Sequence, residues 1–150
     1  MTKKVFLGGT ANNSTWRETL ISQLDSTKIS YFNPVVSDWN EQAQQEEIKQ
    51  RKECDFVLYV ITKELLGFYS IAEVVDDSNK RPKKTIFCYL EEGFNEHQIK
   101  SLKATSRMVK ENRAKVCESL EEVAEYLNSE RVEVRMEVSP KKWCGGCKIV

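Results

Sequence analysis

The chain has 150 residues, of which 40% are hydrophobic and 31% charged, a composition that fits one globular domain with its own core. Lys plus Arg and Asp plus Glu both number 23, which argues against a nucleic-acid binder that relies on bulk charge and leaves room only for a local patch. No apolar run is long enough to span a membrane and the N-terminus lacks a signal-peptide core, so we expect a cytoplasmic protein. Cys54, Cys88 and Cys117 lie in or beside apolar strand-like runs, as core residues in a reducing compartment would.

The first part of the chain predicts two strands and two helices. Residues 4–7 form a short apolar strand that ends at the Gly8-Gly9 pair. A helix over residues 14–24 follows, with its apolar side chains on one face. Residues 29–36 predict a second strand, and residues 40–53 predict a polar helix with a solvated outer face.

A third strand is predicted over residues 55–62, and its continuous apolar run indicates burial on both faces. The next helix is predicted over residues 70–79, with Ser70 as its N-cap and Glu73 completing a capping box. In an open α/β sheet the ends of strands and the starts of the following helices line the ligand crevice, so Glu73 reaches the place where such folds do chemistry. The alternative, given equal weight, is that Glu73 only caps its helix.

The same alternation continues to the end of the domain. Strands are predicted over residues 85–90 and 114–117, and helices over residues 96–111 and 120–127. Five strands alternating with five helices predict an α/β fold, a three-layer flavodoxin-like or Rossmann-like sandwich. We expect a five-stranded parallel sheet in the order 2-1-3-4-5 with right-handed crossovers.

The predicted domain covers residues 1–130, and residues 131–150 predict an edge strand followed by a flexible tail. The tail carries Cys144 and Cys147, a C-x-x-C pair that is half a zinc site. Cys147 also begins the outline of a C-a-a-X lipidation box. A flexible tail is favoured, and metal, redox and lipid roles are left as alternatives.

The strand order places a crevice at the C-terminal ends of strands one and three, where residues 8–16, 33–39 and 67–73 meet. Backbone N–H groups in the first of these segments could hold a phosphate or a sugar. The single histidine, His97, lies on a polar helix, which argues against a histidine triad or a histidine-rich metal site. The remaining candidates for a catalytic group are acidic side chains. Carboxylates act as nucleophiles and as general acids and bases in proteins that break glycosidic bonds.

Three segments of the chain resemble the nucleoside 2-deoxyribosyltransferase superfamily, which includes the deoxynucleoside-monophosphate N-glycosidases. Residues 5–10 are similar to its first strand and substrate loop, and residues 46–58 to its acidic helix and third strand. Residues 67–73, Gly-Phe-Tyr-Ser-Ile-Ala-Glu, stand where the family has a glycine-rich segment with its nucleophilic glutamate, although the second glycine is missing. Residues 14–17 and 32–36 look like a divergent branch.

The resemblance implies cleavage or exchange of the N-glycosidic bond of a (deoxy)nucleoside or nucleotide, with Glu73 as nucleophile. Glu47, where the family usually has Asp, is expected to orient the nucleophile or bind a sugar hydroxyl, with Glu46 as the register alternative. Asp38 is the candidate to bond the base or protonate it as it leaves. The expected substrate-binding residues are Gly8, Gly9, Thr10, Trp16, Asn33, Gly67, Tyr69 and Ser70.

The expected partner is a nucleoside or nucleotide substrate, without a metal, a cofactor, nucleic acid or a membrane. A homo-oligomer that completes its site with a neighbour's residues is left open. Two other functions also stay open, a non-catalytic nucleotide-binding or sensing module and an NAD-cleaving glycohydrolase. Asp76 and Asp77, further along the helix of Glu73, are expected to be solvated.

Overall fold

Five parallel strands form the central sheet of the protein, and the computed structural model describes residues 1–129. The strands are β1 (Lys3–Gly9), β2 (Ile29–Phe32), β3 (Phe56–Ile61), β4 (Thr85–Tyr89) and β5 (Lys115–Cys117). The helices are α1 (Trp16–Gln23), α2 (Glu41–Glu53), α3 (Tyr69–Lys80), α4 (Glu96–Glu111) and α5 (Leu120–Asn128). The strand order is β2-β1-β3-β4-β5, which confirms the predicted α/β sandwich and its sheet.

Two apolar layers, one on each face of the sheet, hold the helices in place. On one face Leu7 and Leu58 of the sheet pack with Leu20 of α1 and with α5. On the other face Tyr59 packs with Val74 of α3 and with α4. Every residue of β3 is buried, which explains why this strand reads as an unbroken apolar run.

The first strand runs further than predicted, through both glycines of the Gly8-Gly9 pair. Gly9 pairs with Val60 of β3 and has a φ of 109°, a left-handed conformation that favours glycine. A Cβ atom on Gly9 would lie 2.0 Å from the Val60 carbonyl oxygen. Glycine here therefore permits the close approach of β1 to β3 at the edge where ligands bind.

The second strand is shorter than predicted and ends at Phe32 rather than at residue 36. Asn33 Oδ1 accepts a hydrogen bond from the Val35 backbone N–H at 3.1 Å, and Pro34 has no N–H to give to a ladder. The chain therefore turns away from the sheet, and the Val35 and Val36 side chains reach the crevice instead.

Cys54, Cys88 and Cys117 are buried free thiols, as the sequence predicts for core residues. Along residues 1–129 no helix has both the length and the apolar character needed to cross a membrane. The predicted edge strand and tail of residues 131–150, with the Cys144 and Cys147 pair, lie outside the described residues.

Candidate active site

A cavity of about 380 Å³ opens at the C-terminal ends of β1 and β3. Gly8 and Gly9 of β1, Glu47 of α2 and Glu73 of α3 all contribute to its lining. This is the edge at which parallel α/β sheets bind ligands, because the loops that follow the strands surround it.

Glu73 is delivered to the cavity by the first turns of α3, which begins at Tyr69. The predicted capping box is absent, since Phe68 occupies the N-cap position and no side chain caps the helix. Ser70 is therefore inside the helix rather than at its cap. Glu73 has no capping role, and its buried side chain faces the cavity.

Arg51 of α2 contacts three acidic residues of α3, namely Glu73, Asp77 and, at 3.4 Å, Asp76. Its Nη1 donates to Glu73 Oε1 at 3.3 Å, whereas Nε and Nη2 donate to the two Asp77 oxygens at 2.9 Å each. Asp77 also accepts from the Tyr59 hydroxyl at 2.5 Å and from Arg81. The expectation that Asp77 is solvated is wrong, because it is fully buried at the centre of this network. Since Asp77 accepts the two shorter bonds, Glu73 receives the smaller share of the Arg51 charge.

The protonation of Glu73 is set by competition between burial and this arginine. Burial raises the pKa of Glu73 from 4.5 to about 7; Arg51 lowers it, and the charges of Glu47 and Asp77 raise it. Burial prevails because Asp77 already neutralises most of Arg51. Near neutral pH both the neutral and the ionised form of the Glu73 carboxyl are therefore accessible.

Glu47 lies on α2, four residues before Arg51, so the two side chains share one face of the helix. Burial raises the pKa of Glu47, opposed by a hydrogen bond from Trp39 and by nearby arginines. Glu46, the register alternative, is exposed and is not among the residues that line the cavity. Of the two neighbours, only Glu47 therefore reaches the site.

The mouth of the cavity is apolar. Trp39 and Tyr69 meet edge to face, with ring centroids 6.1 Å apart. Val35, Val36 and Leu66 line the same opening and are exposed. An exposed apolar mouth above two carboxylates suits a flat ring attached to a polar sugar.

Seven of the eleven predicted site residues line the cavity. They are Glu47, Glu73, Gly8, Gly9, Gly67, Tyr69 and Ser70. Four are not among its lining residues, namely Asp38, Asn33, Thr10 and Trp16. Asp38 and Asn33 are exposed, because the chain leaves the sheet after Phe32 and carries both away from the cavity.

Thr10 and Trp16 are buried in the structure that supports the cavity rather than in its wall. Thr10 Oγ1 accepts from the Thr62 N–H at 2.8 Å, and the Thr10 carbonyl accepts from Trp16 Nε1 at 2.8 Å. Arg17 Nη1 donates to the same carbonyl at 2.6 Å, and Arg17 Nε and Nη2 donate to the Leu7 carbonyl. These bonds fix the loop after β1 against α1.

The sequence interpretation missed Arg17, which lines the cavity, and Arg51, which holds Glu73. Burial lowers the pKa of Arg17 to about 10, against the raising effect of Glu18 and Glu47. The sequence did offer a signal for Arg51. Glu47 and Arg51 are four residues apart on α2, and Glu73 and Asp77 are four residues apart on α3, so each pair lies on one face of its helix. Arg17 offered no such signal.

No three His, Cys, Asp or Glu side chains within residues 1–129 cluster closely enough to hold a metal ion. The polar groups on the cavity wall include the carboxylates of Glu47 and Glu73, the guanidinium of Arg17 and the Ser70 hydroxyl. The lining thus combines two carboxylates with a cationic guanidinium and a hydroxyl, and Ser70 and Glu73 reach it from the same helix.

Comparison with solved structures found five matching chains. One is a conserved protein from Enterococcus faecalis V583, which is 16% identical with a TM-score of 0.60 over 85% of this chain and 98% of that chain. At this identity the likeness shows the fold alone. Comparison with curated proteins gave no match.

A family model described as "Nucleoside 2-deoxyribosyltransferase like" matches residues 2–92. The matched segment runs from β1 through β4 and carries both cavity carboxylates, Glu47 and Glu73. Because it covers more than half of the sequence, the chain belongs to the nucleoside 2-deoxyribosyltransferase-like family.

Proposed function

We propose that this protein cleaves or exchanges the N-glycosidic bond of a (deoxy)nucleoside or nucleotide, with Glu73 as the nucleophile. The observation that carries the proposal is the position of Glu73, a buried carboxylate on the wall of a cavity at the ligand-binding edge of the sheet. Family membership supports the same reaction class.

The reaction forms and breaks one bond at the sugar in each half. An ionised Glu73 oxygen bonds to C1′ while the C1′–N bond breaks, and the electron pair leaves with the base, which takes up a proton. The transition state resembles an oxocarbenium ion, so a carboxylate beside the ring stabilises its positive charge. Water or a second base then attacks C1′, gives up a proton to solvent and releases the Glu73 carboxylate, which restores the proton that the first base took up.

Neighbouring groups have distinct parts in this proposal. Glu47 accepts a hydrogen bond from a sugar hydroxyl and keeps the sugar over Glu73. Arg51 positions the Glu73 carboxylate without neutralising it, since its shorter bonds go to Asp77. Trp39 and Tyr69 at the apolar mouth contact the base.

The test is a Glu73→Gln variant, which is nearly isosteric and removes the nucleophile's charge. Purified protein is incubated with a panel of nucleosides, deoxynucleotides and NAD, and released base is measured by chromatography. We expect turnover to fall by several orders of magnitude while substrate affinity changes far less. Asp76→Asn is the matched control, because Asp76 also contacts Arg51 at 3.4 Å but is not among the cavity-lining residues.

The other outcomes separate the alternative functions. Base release from NAD alone would assign an NAD glycohydrolase. Nucleotide affinity without any base release by the wild-type protein would assign a binding module. Base release that survives Glu73→Gln unchanged would contradict the proposed nucleophile.

A further inference from the structure

A second cavity lies at the same edge of the sheet, beyond β4 and β5, and shares no lining residue with the Glu73 cavity. Its volume is about 820 Å³, large enough for nucleotide-sized ligands. One side is α4, and the other side is formed by Tyr89 at the end of β4 and Cys117 at the end of β5.

All four Lys and Arg residues of α4 line this cavity. They are Lys100, Lys103, Arg107 and Lys110. Their spacing of three, four and three residues places them in one narrow stripe along the helix. At a rise of about 1.5 Å per residue the stripe is about 15 Å long. Within the described part of the chain none of the four forms an ion pair, so their charge is available to a ligand.

A second, independent observation comes from Ser106, on the same helix and in the same cavity. Among residues 1–129, Ser106 Oγ is the one buried side-chain oxygen or nitrogen without a hydrogen-bond partner. A buried hydroxyl without a partner costs stability, so a ligand that drew the Ser106 hydroxyl into the cavity would recover a hydrogen bond. A phosphate oxygen beside the basic stripe would accept it.

The strand side of the cavity differs in character. Tyr89 is half-buried there, and Glu91 and Glu118 add two carboxylates. A tyrosine ring is a stacking surface for a base, and carboxylates accept hydrogen bonds from exocyclic amino groups such as that of cytosine. Positive charge along the helix and a ring with acceptors opposite it match the two halves of a nucleotide.

We propose that this cavity, named here the α4 cleft, binds a single-stranded oligonucleotide through successive phosphates on the basic stripe. The length of the stripe favours a strand, because a single phosphate group cannot contact cations spread over about 15 Å. The balanced net charge of the whole chain does not oppose this, since the charge that acts is local. The site is independent of the chemistry proposed for Glu73.

The test is a fluorescence anisotropy titration of a labelled single strand of about 12 nucleotides, at several salt concentrations between about 50 and 200 mM. Four phosphate contacts predict that log K falls with log salt with a slope of about −3 for single strands. The Lys103→Gln, Arg107→Gln double variant should bind at least about tenfold more weakly and reduce the slope by about 1.4. Ser106→Ala should weaken binding severalfold without lowering the melting temperature.

The control double variant is Lys49→Gln, Lys52→Gln, which removes the same charge from exposed positions on α2. Strand binding by this control at wild-type strength supports the α4 cleft. Equal losses in both double variants would show non-specific attraction and overturn the proposal. If a nucleoside triphosphate displaced the strand at equal phosphate concentration, the α4 cleft would be a free-nucleotide site and the proposal would be overturned. The absence of any strand binding at low salt would also overturn the proposal. The same titration on Glu73→Gln should match wild type, which keeps this result separate from the test of catalysis.

Discussion

At the scale of single residues, the carboxyl of Glu73 combines two demands that oppose each other. Burial beside the cavity favours its neutral form, whereas a nucleophile must be ionised. Arg51 is close enough to orient the carboxylate, yet its shorter bonds to Asp77 keep it from stabilising the ionised form fully. Ionisation of Glu73, which the proposed reaction requires, therefore lowers the stability of the folded protein.

The pH dependence of stability tests this conflict. The folded-state pKa of Glu73 is about 7 against an ordinary value of 4.5, so its favourable contribution is complete below pH 4.5 and is lost as pH rises through 7. Glu73→Gln cannot ionise, so it should be more stable than wild type at pH 8, by up to about 3 kcal/mol, with the advantage shrinking towards pH 4.5. Thermal unfolding of both proteins across this range measures it. A pH-independent difference between Glu73→Gln and wild type would refute the shift.

Arg51 supplies the second residue-level prediction. Arg51→Met leaves the fully buried Asp77 with only Tyr59 and Arg81 as partners, and breaking a buried pair in this way costs about 3 kcal/mol or more. For a chain of this length the melting temperature should fall by roughly 6 to 12 °C. The exposed neighbour Lys52→Met should change it by no more than a degree or two. Equal melting temperatures for the two variants would show that Arg51 contributes nothing to the fold.

At the scale of elements, the ends of β1 and α3 decide what enters the cavity. Gly9 carries β1 past Val60 at a distance that no side chain tolerates, whereas a Cβ atom on Gly67 would meet no atom within 4 Å. Gly9 and Gly67 both line the cavity, but glycine is needed at the two positions to different degrees. The first is required by the backbone, and the second leaves the loop before α3 open.

This difference gives a paired prediction. Gly9→Ala would place a Cβ atom 2.0 Å from the Val60 oxygen at a φ of 109°, so it should destabilise the protein by several kcal/mol or prevent folding. Gly67→Ala should leave stability unchanged or slightly raised, because it only restricts the unfolded chain. Soluble yield and melting temperature measure both. A Gly9→Ala protein that melts within a few degrees of wild type would contradict the close-approach argument.

Element ends are also where the sequence was least informative. The apolar runs of β1 and β3 and the regular alternation were enough to predict each of the five strands and five α-helices of residues 1–129, although not the short 3₁₀ helix Pro82–Lys84. β2 ends at Phe32, where the Asn33 side chain accepts a hydrogen bond from the Val35 N–H. α3 begins at Tyr69 with no side-chain cap. Both outcomes depend on local hydrogen bonds that hydrophobic periodicity does not encode.

At the scale of the whole molecule, the strand order is the flavodoxin-like one expected from the alternation of strands and helices, and burial agrees with it. β3 is apolar throughout because it is covered on both faces, and the right-handed crossovers then leave few arrangements for the others. The predicted residues that line the cavity lie on correctly predicted strands and helices or beside their ends, as Gly8, Gly9 and Glu73 do. Arg17 lines the cavity from α1 and Arg51 bonds to Glu73 from α2, and tertiary packing brings both arginines to the site.

Of the two tryptophans within residues 1–129, one lies in the core and the other at the cavity mouth, and this division has an optical consequence. Trp16 is 3% exposed, whereas Trp39 is 53% exposed at the cavity mouth and lies against Tyr69. An aqueous quencher such as acrylamide therefore reaches the indole of Trp39 and spares that of Trp16. A base that stacks at the mouth would shield Trp39 and change its emission. With Trp143 replaced by Phe, intrinsic fluorescence would report occupancy of the cavity without any attached dye.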